Sequence, residues 1–394
     1  MEGAIPLAGV SDRVQRREPL RLLWLIDSLT FGGAESLVIP FAEAARERGI
    51  DLTVCVRKTI EGNPLEAEVR SLGIEVVNLG ATTLRDRRAY RQLRSLVSSR
   101  GIELIHSHLA YAGIWGALIS RQTGVPLVAS LHVSPEEGAG IKERVRRKLL
   151  VGLLNRYGSR IIVVSAALAE QWKEATSLRP EKIEIVRNGI PLHPFAGDAG
   201  IDVRAELGLP AGDPVVMTVS VLRERKGIDI LLRAAVPLLQ RVPSCRIVIV
   251  GDGPSRSRLE KLAVGLGVKD AVVWTGFRRD VGRLLSAADL FVLPTLGDAF
   301  PTAVIEAMAA GKAVVASAVG GVPEIVDSAT GILVPPGDEA ALAEAIVHAL
   351  ESPEWRQDAG RAGRRKAAAE LSAAAWVERL LPLYRSAMGR EGRS

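Results

Sequence analysis

The sequence predicts an α/β protein of two parallel-sheet domains facing each other across a cleft. Three observations lead there. Short continuous apolar runs alternate with amphipathic segments along most of the chain, the pattern of strands buried on both faces by crossover helices. A stretch rich in Pro and Gly, 187–213, interrupts that alternation near mid-chain. The 394 residues suffice for two domains with a core each.

The first strand is the run 22–26, followed by Asp27-Ser28-Leu29-Thr30-Phe31-Gly32-Gly33 and a helix over about 34–48 that Gly49 stops. Further strands are expected at 52–56, 76–77, 104–105, 127–131, 161–164 and 183–186, with helices at 88–99, 111–122 and 141–157. Beyond the linker, which has room for a short helix at 202–207, a second series of strands is expected at 215–219, 246–250, 272–274, 290–293, 313–316 and 332–334. The expected organisation is a flexible segment 1–20, a first domain 21–192, a second domain 193–371 and a terminal piece 372–394 whose helix packs back on the first domain.

Composition narrows the function classes. The chain carries a net +6, and the excess lies entirely in residues 1–190, with 27 Lys and Arg against 21 Asp and Glu. That asymmetry suits an anionic partner or a basic solvated surface. Aromatic residues are 4% of the chain, and no stretch interleaves them with basic residues, so nucleic acid is not an expected partner. Cys55 and Cys245 sit in strand-like apolar runs and read as buried free thiols. Charged residues break up the first 20 positions, so no secretory signal is read there, and no apolar run is long enough to span a membrane.

Parallel sheets bind ligands beyond the carboxyl ends of their strands. After the second-half strands come Ser220 to Gly227, Gly251-Asp252-Gly253-Pro254, Thr275-Gly276-Phe277, Pro294 to Pro301 with Glu306 on the next helix, and Ser317 to Glu324. Gly251-Asp252-Gly253 is not a dinucleotide fingerprint, because Arg256 stands where Gly or Ala is needed. Gly311-Lys312 lacks the other residues of a phosphate loop.

Together and in this order, these segments resemble the second domain of retaining glycosyltransferases of family 4, which have the GT-B fold of two Rossmann-like domains. In the first half the resemblance includes Phe31-Gly32-Gly33-Ala34-Glu35, Ile105-His106-Ser107-His108, Ser130-Leu131-His132, Val164-Ser165 and Arg187-Asn188-Gly189. The family pattern of two Glu separated by seven residues falls on Asp298 and Glu306, the first a methylene shorter. The family's Gly-Arg-Leu…Lys-Gly segment keeps Lys226-Gly227, but Ser220 and Val221 replace its Gly and Arg, leaving Arg223 or Arg225 to supply the second cation.

The resemblance implies that the donor is a sugar on a nucleoside diphosphate and that Lys226, Asp298 and His132 are catalytic. It implies a donor site of Gly33, Arg223, Arg225, Lys226, Gly251, Phe277, Phe300, Thr302, Ala303 and Glu306. Fixed cations and helix N-terminal amides aimed at the departing diphosphate lower the barrier. Pro301 reads as the first residue of the helix that offers the Thr302 and Ala303 amides, and Gly297 as a point of close backbone approach. His106 and His108 are taken to face opposite sides of their strand, making them poor joint metal ligands. No metal and no resident cofactor is expected, since no Asp-x-Asp triplet occurs.

The segment 141–156 places Ile141, Val145, Leu149 and Leu153 at i+4 spacing beside Lys142, Arg144, Arg146, Arg147 and Lys148. That is either a basic amphipathic helix at a membrane surface or a helix packed on the sheet with a wet basic face. The expected activity is transfer, with retention, of a sugar to a sugar or lipid-linked acceptor in cell-surface polysaccharide or glycolipid synthesis. The expected location is cytoplasmic, peripheral on the inner membrane face. The alternatives are a nucleotide-sugar epimerase and an inactive nucleotide-sugar-binding protein of the same fold.

Overall fold

The computed structural model describes residues 18–29, 32–58, 64–136, 140–192, 195 and 200–390. The first sheet is built from β1 (Leu20–Ile26), α1 (Val38–Arg46), β2 (Ile50–Val56), α2 (Pro64–Ser71), β3 (Glu75–Asn78), α3 (Arg87–Ser99), β4 (Leu104–His108), α4 (Ala110–Thr123), β5 (Leu127–Leu131), α5 (Ile141–Tyr157), β6 (Gly158–Val163), α6 (Ala166–Ala175) and β7 (Ile183–Ile185). Its order is β3-β2-β1-β4-β5-β6-β7, with parallel pairings. The Gly-Gly turn displaces one expected boundary. Residues 33–37 form turns, with Ser36 N donating to Gly32 O at 3.0 Å, so α1 starts at Val38 and not Ala34.

The second series follows α7 (Gly200–Glu206). It comprises β8 (Val215–Val219), α8 (Ile228–Arg241), β9 (Arg246–Val250), α9 (Arg256–Gly265), β10 (Val272–Gly276), α10 (Val281–Ser286), β11 (Leu290–Leu293), α11 (Thr302–Ala309), β12 (Ala313–Ser317), α12 (Val322–Ile325), β13 (Gly331–Val334), α13 (Glu339–Glu351) and α14 (Pro353–Glu370). The sheet order is β10-β9-β8-β11-β12-β13, again parallel. Strand order reverses between β1 and β4 in the first sheet and between β8 and β11 in the second. Those are the points where open parallel sheets leave a crevice at their carboxyl ends.

The chain crosses between the halves twice, and the crossings touch. Ile190 N donates to Leu371 O at 3.0 Å and Ala373 N to Ile190 O at 2.8 Å. A Cβ on Gly189 would sit 2.2 Å from Ser372 O, so only glycine fits there. The last helix, α15 (Ala373–Ala387), then returns to the first half. Ala373, Trp376, Val377, Leu380 and Tyr384 are its buried residues, one face of a helix. Trp376 meets Phe41 of α1 at 5.6 Å and Trp24 of β1 at 6.3 Å between ring centroids. Both cysteines are buried and free. Residues 1–17 of the expected flexible segment lie outside the described residues, as do 193–194 at the expected domain boundary.

Candidate active site

A cavity of about 900 Å³ lies between the halves, walled by the carboxyl-end loops of both sheets. From the first half come Gly33 and His132. From the second come Arg223, Arg225, Lys226, Gly251, Phe277, Asp298, Phe300, Thr302, Ala303 and Glu306. Every residue named from the sequence as a site candidate therefore lines one space.

Lys226 closes a single 3₁₀ turn after β8, and Gly227 behind it takes a left-handed φ of 65°. A Cβ there would lie 1.9 Å from Pro294 O, so the turn must pass close to the end of β11. This carries Lys226 Nζ onto the Asp298 carboxylate, both side chains largely buried at 16% and 12% exposure. The shorter acid thus still reaches the lysine. Arg225 reaches the loop from the solvent side, its Nη1 donating to Gly297 O at 3.3 Å, and Arg223 is exposed at the rim.

The helix start differs from its sequence reading. Pro301 is the residue before the helix, with an extended ψ of 114°, so Thr302 and not Pro301 is the first helical residue. No side chain caps α11, which leaves the Thr302 and Ala303 amides facing the cavity without an intrahelical partner. Glu306 lies one turn on. Burial pushes its carboxyl up to about 7. Gly297 meets nothing within 4 Å of where a Cβ would lie, so no protein atom demands a glycine there. Gly251 is different: its φ is 131°, and a Cβ would lie 1.9 Å from Ser220 O, so the neighbouring loop forces it to be glycine.

The histidines correct the sequence reading. His106 and His108 share one face of β4, their rings 4.1 Å apart, because residues two apart on a strand point the same way. His106 bonds Tyr384 Oη of α15 at 2.7 Å and Ser130 Oγ at 2.8 Å. His108 stacks on Trp24 at 3.6 Å and bonds His132 Nε2 through Nδ1 at 2.9 Å. Burial lowers His106 to about 3 and His132 to about 4, so these rings are neutral near pH 7, one partner of the His108–His132 pair donating and the other accepting. Among the described residues no group of three His, Cys, Asp or Glu converges as a metal site.

Helix α5 packs against α4 and β6, as the packed alternative requires, and leaves part of its apolar stripe exposed. Leu150, Val151 and Leu154 are its buried face, while Ile141, Val145 and Leu149 are 76%, 62% and 46% exposed. Arg146 and Arg147 turn inward, to Tyr111 Oη at 2.8 Å and to Pro135 O. Lys142, Arg144 and Lys148 are exposed beside the apolar stripe. Among the described residues no helix is long and apolar enough to cross a membrane.

The sequence did not reveal Leu109, between β4 and α4, which takes a φ of 71° and lines the cavity. That is a strained conformation for a branched side chain and carries no sequence signature. Nor did it reveal Asp27 at the end of β1. This carboxylate accepts from Ala112 N at 2.6 Å and Tyr111 N at 3.3 Å, and burial raises it to about 6 despite those bonds.

Comparison with known proteins agrees in both halves. Residues 201–366 match the family model of glycosyl transferases group 1, and residues 31–193 match that of glycosyltransferase family 4. A D-inositol 3-phosphate glycosyltransferase of Thermobifida fusca is 30% identical over 91% of this chain and 89% of its own. The chain belongs to the group 1 glycosyltransferases. A second similar protein of the same description, from Saccharomonospora viridis, is 32% identical over 73% of this chain and 70% of its own. Among solved structures, Anabaena Alr3699/HepE in complex with UDP-glucose matches with a TM-score of 0.82 and 25% identity, covering 93% of this chain and all of that one. Sucrose-phosphate synthase from Thermosynechococcus elongatus matches with a TM-score of 0.79 and 25% identity, over 94% and 99% of the two chains. The fold of this glycosyltransferase is therefore GT-B, with its cavity between two Rossmann-like halves.

Proposed function

We propose that this glycosyltransferase moves a sugar from a nucleoside diphosphate to an acceptor hydroxyl with retention of anomeric configuration and without a divalent metal. The observation that carries this is the convergence of Lys226, Asp298 and the uncapped N-terminus of α11 on one cavity. Breaking the anomeric bond concentrates negative charge on the leaving diphosphate. Lys226 and the Thr302 and Ala303 amides are fixed in place to receive it, so little reorganisation is needed as the bond breaks. Asp298, held by Lys226, meets hydroxyls of the transferred sugar, and Glu306 meets the ribose. His132, neutral near pH 7, contributes hydrogen bonding and no charge. Departure and attack on one face of the sugar let a leaving phosphate oxygen take the acceptor proton. Phe277, half exposed at the rim, and Phe300, buried in the wall, bound the donor's apolar surfaces.

The test is a thermal-stability screen against UDP, GDP and ADP and their sugars, because a ligand that binds only the folded state raises its apparent stability. No shift with any of them at 100 times a typical micromolar affinity removes the proposal. Release of free nucleoside diphosphate only when an acceptor is present separates transfer from epimerisation. Silence in that assay despite nucleotide binding favours the inactive binding protein. Phosphorylated polyols belong in the acceptor screen because the named relatives are D-inositol 3-phosphate glycosyltransferases.

The exposed stripe of α5 supports a lipid-linked acceptor. Ile141, Val145 and Leu149 stand out beside Lys142, Arg144 and Lys148. Apolar insertion together with basic charge suits the surface of an anionic membrane. In this reading the protein works peripherally on the inner membrane face, in glycolipid or cell-surface polysaccharide synthesis, and the exposed stripe is what supports it.

A further inference from the structure

Glu324 of α12 belongs to the second half, but its carboxylate serves the first. Oε1 accepts from Ala166 N at 2.7 Å and from Ala167 N at 3.2 Å, the first two amides of α6. Oε2 lies 3.3 Å from Arg187 Nη2, on the crossover. The cap on α6 is thus divided. Ser165 Oγ, from within the first half, accepts from Leu168 N at 3.2 Å, and a carboxylate from across the cleft takes the two amides before it. The Glu324 side chain is only 16% exposed, so solvent does not fully screen this contact.

The same turn is tied to the donor site. Gly321 N donates to Asp298 O at 3.0 Å. A Cβ on Gly320 would lie 2.0 Å from Asp298 O, and one on Gly321 would lie 2.0 Å from Ala299 O and 3.0 Å from Ser165 Cβ. Backbone therefore packs on backbone between this turn and the Asp298 loop, at the point where the halves touch. Asp298 in turn holds Lys226. A short, continuous set of contacts runs from the α6 amides through Glu324 and Gly321 to Asp298.

We propose that Glu324 is a positioning residue, a latch between the halves that fixes the Asp298 loop when the cleft is closed. Its significance for turnover rests on the donor site proposed above. Opening the cleft separates the carboxylate from Ala166 and Ala167 and returns those amides to water. The same motion pulls on the turn that carries Gly321, so closure and the placement of Asp298 are one event.

Hydrogen exchange on the full chain tests this without knowledge of the substrate. In Glu324→Ala the amides of Ala166 and Ala167 should exchange at least about tenfold faster, the size of one lost cap. The Gly321 amide should follow, while the central strands β8 and β11 keep their protection and show that the fold is intact. Glu324→Gln, which keeps an acceptor oxygen, should restore most of the protection. Ser165→Ala should free Leu168 N and leave Gly321 as it was. Unchanged exchange at Ala166 and Ala167 in Glu324→Ala overturns the latch. Faster exchange there with Gly321 unaffected overturns the link to Asp298. With UDP-glucose as the probe, Glu324→Ala should lower kcat about tenfold and leave the donor KM within about twofold, as for an interaction made only in the closed state. A wild-type chain that binds no nucleotide in the screen defeats the donor reading, and the exchange arms still decide the latch.

Discussion

Lys226 and Glu306 show how the cavity tunes single residues. Lys226 is largely buried against Asp298. Lys226→Ala should lower turnover at least about 100-fold, comparable to losing one preorganised donor to a developing oxyanion. Near-normal turnover in a steady-state assay would move the diphosphate elsewhere, or onto Arg223 and Arg225. Glu306 gives a pH prediction. Its carboxyl is raised from the ordinary 4.5 to about 7 by burial. Below 4.5 it is protonated both folded and unfolded. Between 4.5 and 7 the folded chain holds the proton that the unfolded chain releases, so the stability penalty grows with pH and is complete above 7. Glu306→Gln should therefore raise Tm at pH 8 and leave it unchanged at pH 4.5, read by calorimetry; an equal rise at both pH values would mean that ionisation is not the cause. The residue types were legible in the sequence because spacing and strand-end position select them. The facing of His106 and His108 follows from strand period alone, and they share a face, opposite to the reading given to them.

Two helices carry predictions of their own. The face of α5 that packs is Leu150, Val151 and Leu154, and Ile141, Val145 and Leu149 stand exposed among the described residues. Neutralising Lys142, Arg144 and Lys148 together should weaken binding to phosphatidylglycerol vesicles about 100-fold, at roughly 1 kcal/mol per basic residue near the surface. Salt should weaken the wild type more than the triple variant. Wild-type protein that stays in the supernatant at low salt ends the membrane reading. Arg147 is excluded from that set because Pro135 O already holds it. The sequence showed the stripe but not which face was buried, because two apolar faces compete on this helix and only the neighbouring elements choose. Helix α15 anchors the return of the chain through Tyr384, whose hydroxyl bonds the fully buried His106. Tyr384→Phe leaves a buried imidazole nitrogen unpaired and should cost about 1–3 kcal/mol. A shifted denaturant midpoint with unchanged m-value would register it; an unmoved midpoint would mean that the bond contributes nothing.

On the scale of the whole molecule, the proposed donor site is assembled only when the two halves meet, since Gly33 and His132 line the cavity from one half and Lys226 and Asp298 from the other. Turnover should survive EDTA if, as proposed, cations and amides of the chain itself take the diphosphate charge. Complete loss restored by Mn²⁺ or Mg²⁺ would contradict this. The sequence by itself determined the α/β class, the two parallel-sheet halves, the positions of most strands along the chain and the strand-end loops that line the cavity. Those features are written locally, in apolar period, in Gly and Pro punctuation, and in side chains placed just beyond strand ends. Tertiary structure alone decided the rest. The contact of Ile190 with Leu371 and Ala373 joins residues more than 180 positions apart in the chain. The ion pair of Lys226 with Asp298 and the reach of Glu324 to α6 also depend on how separate elements dock. So does the left-handed φ of Leu109, since the residue type alone would never suggest it. Long-range contacts leave no periodic trace in the sequence, because each partner satisfies its own local pattern and only packing brings the two together.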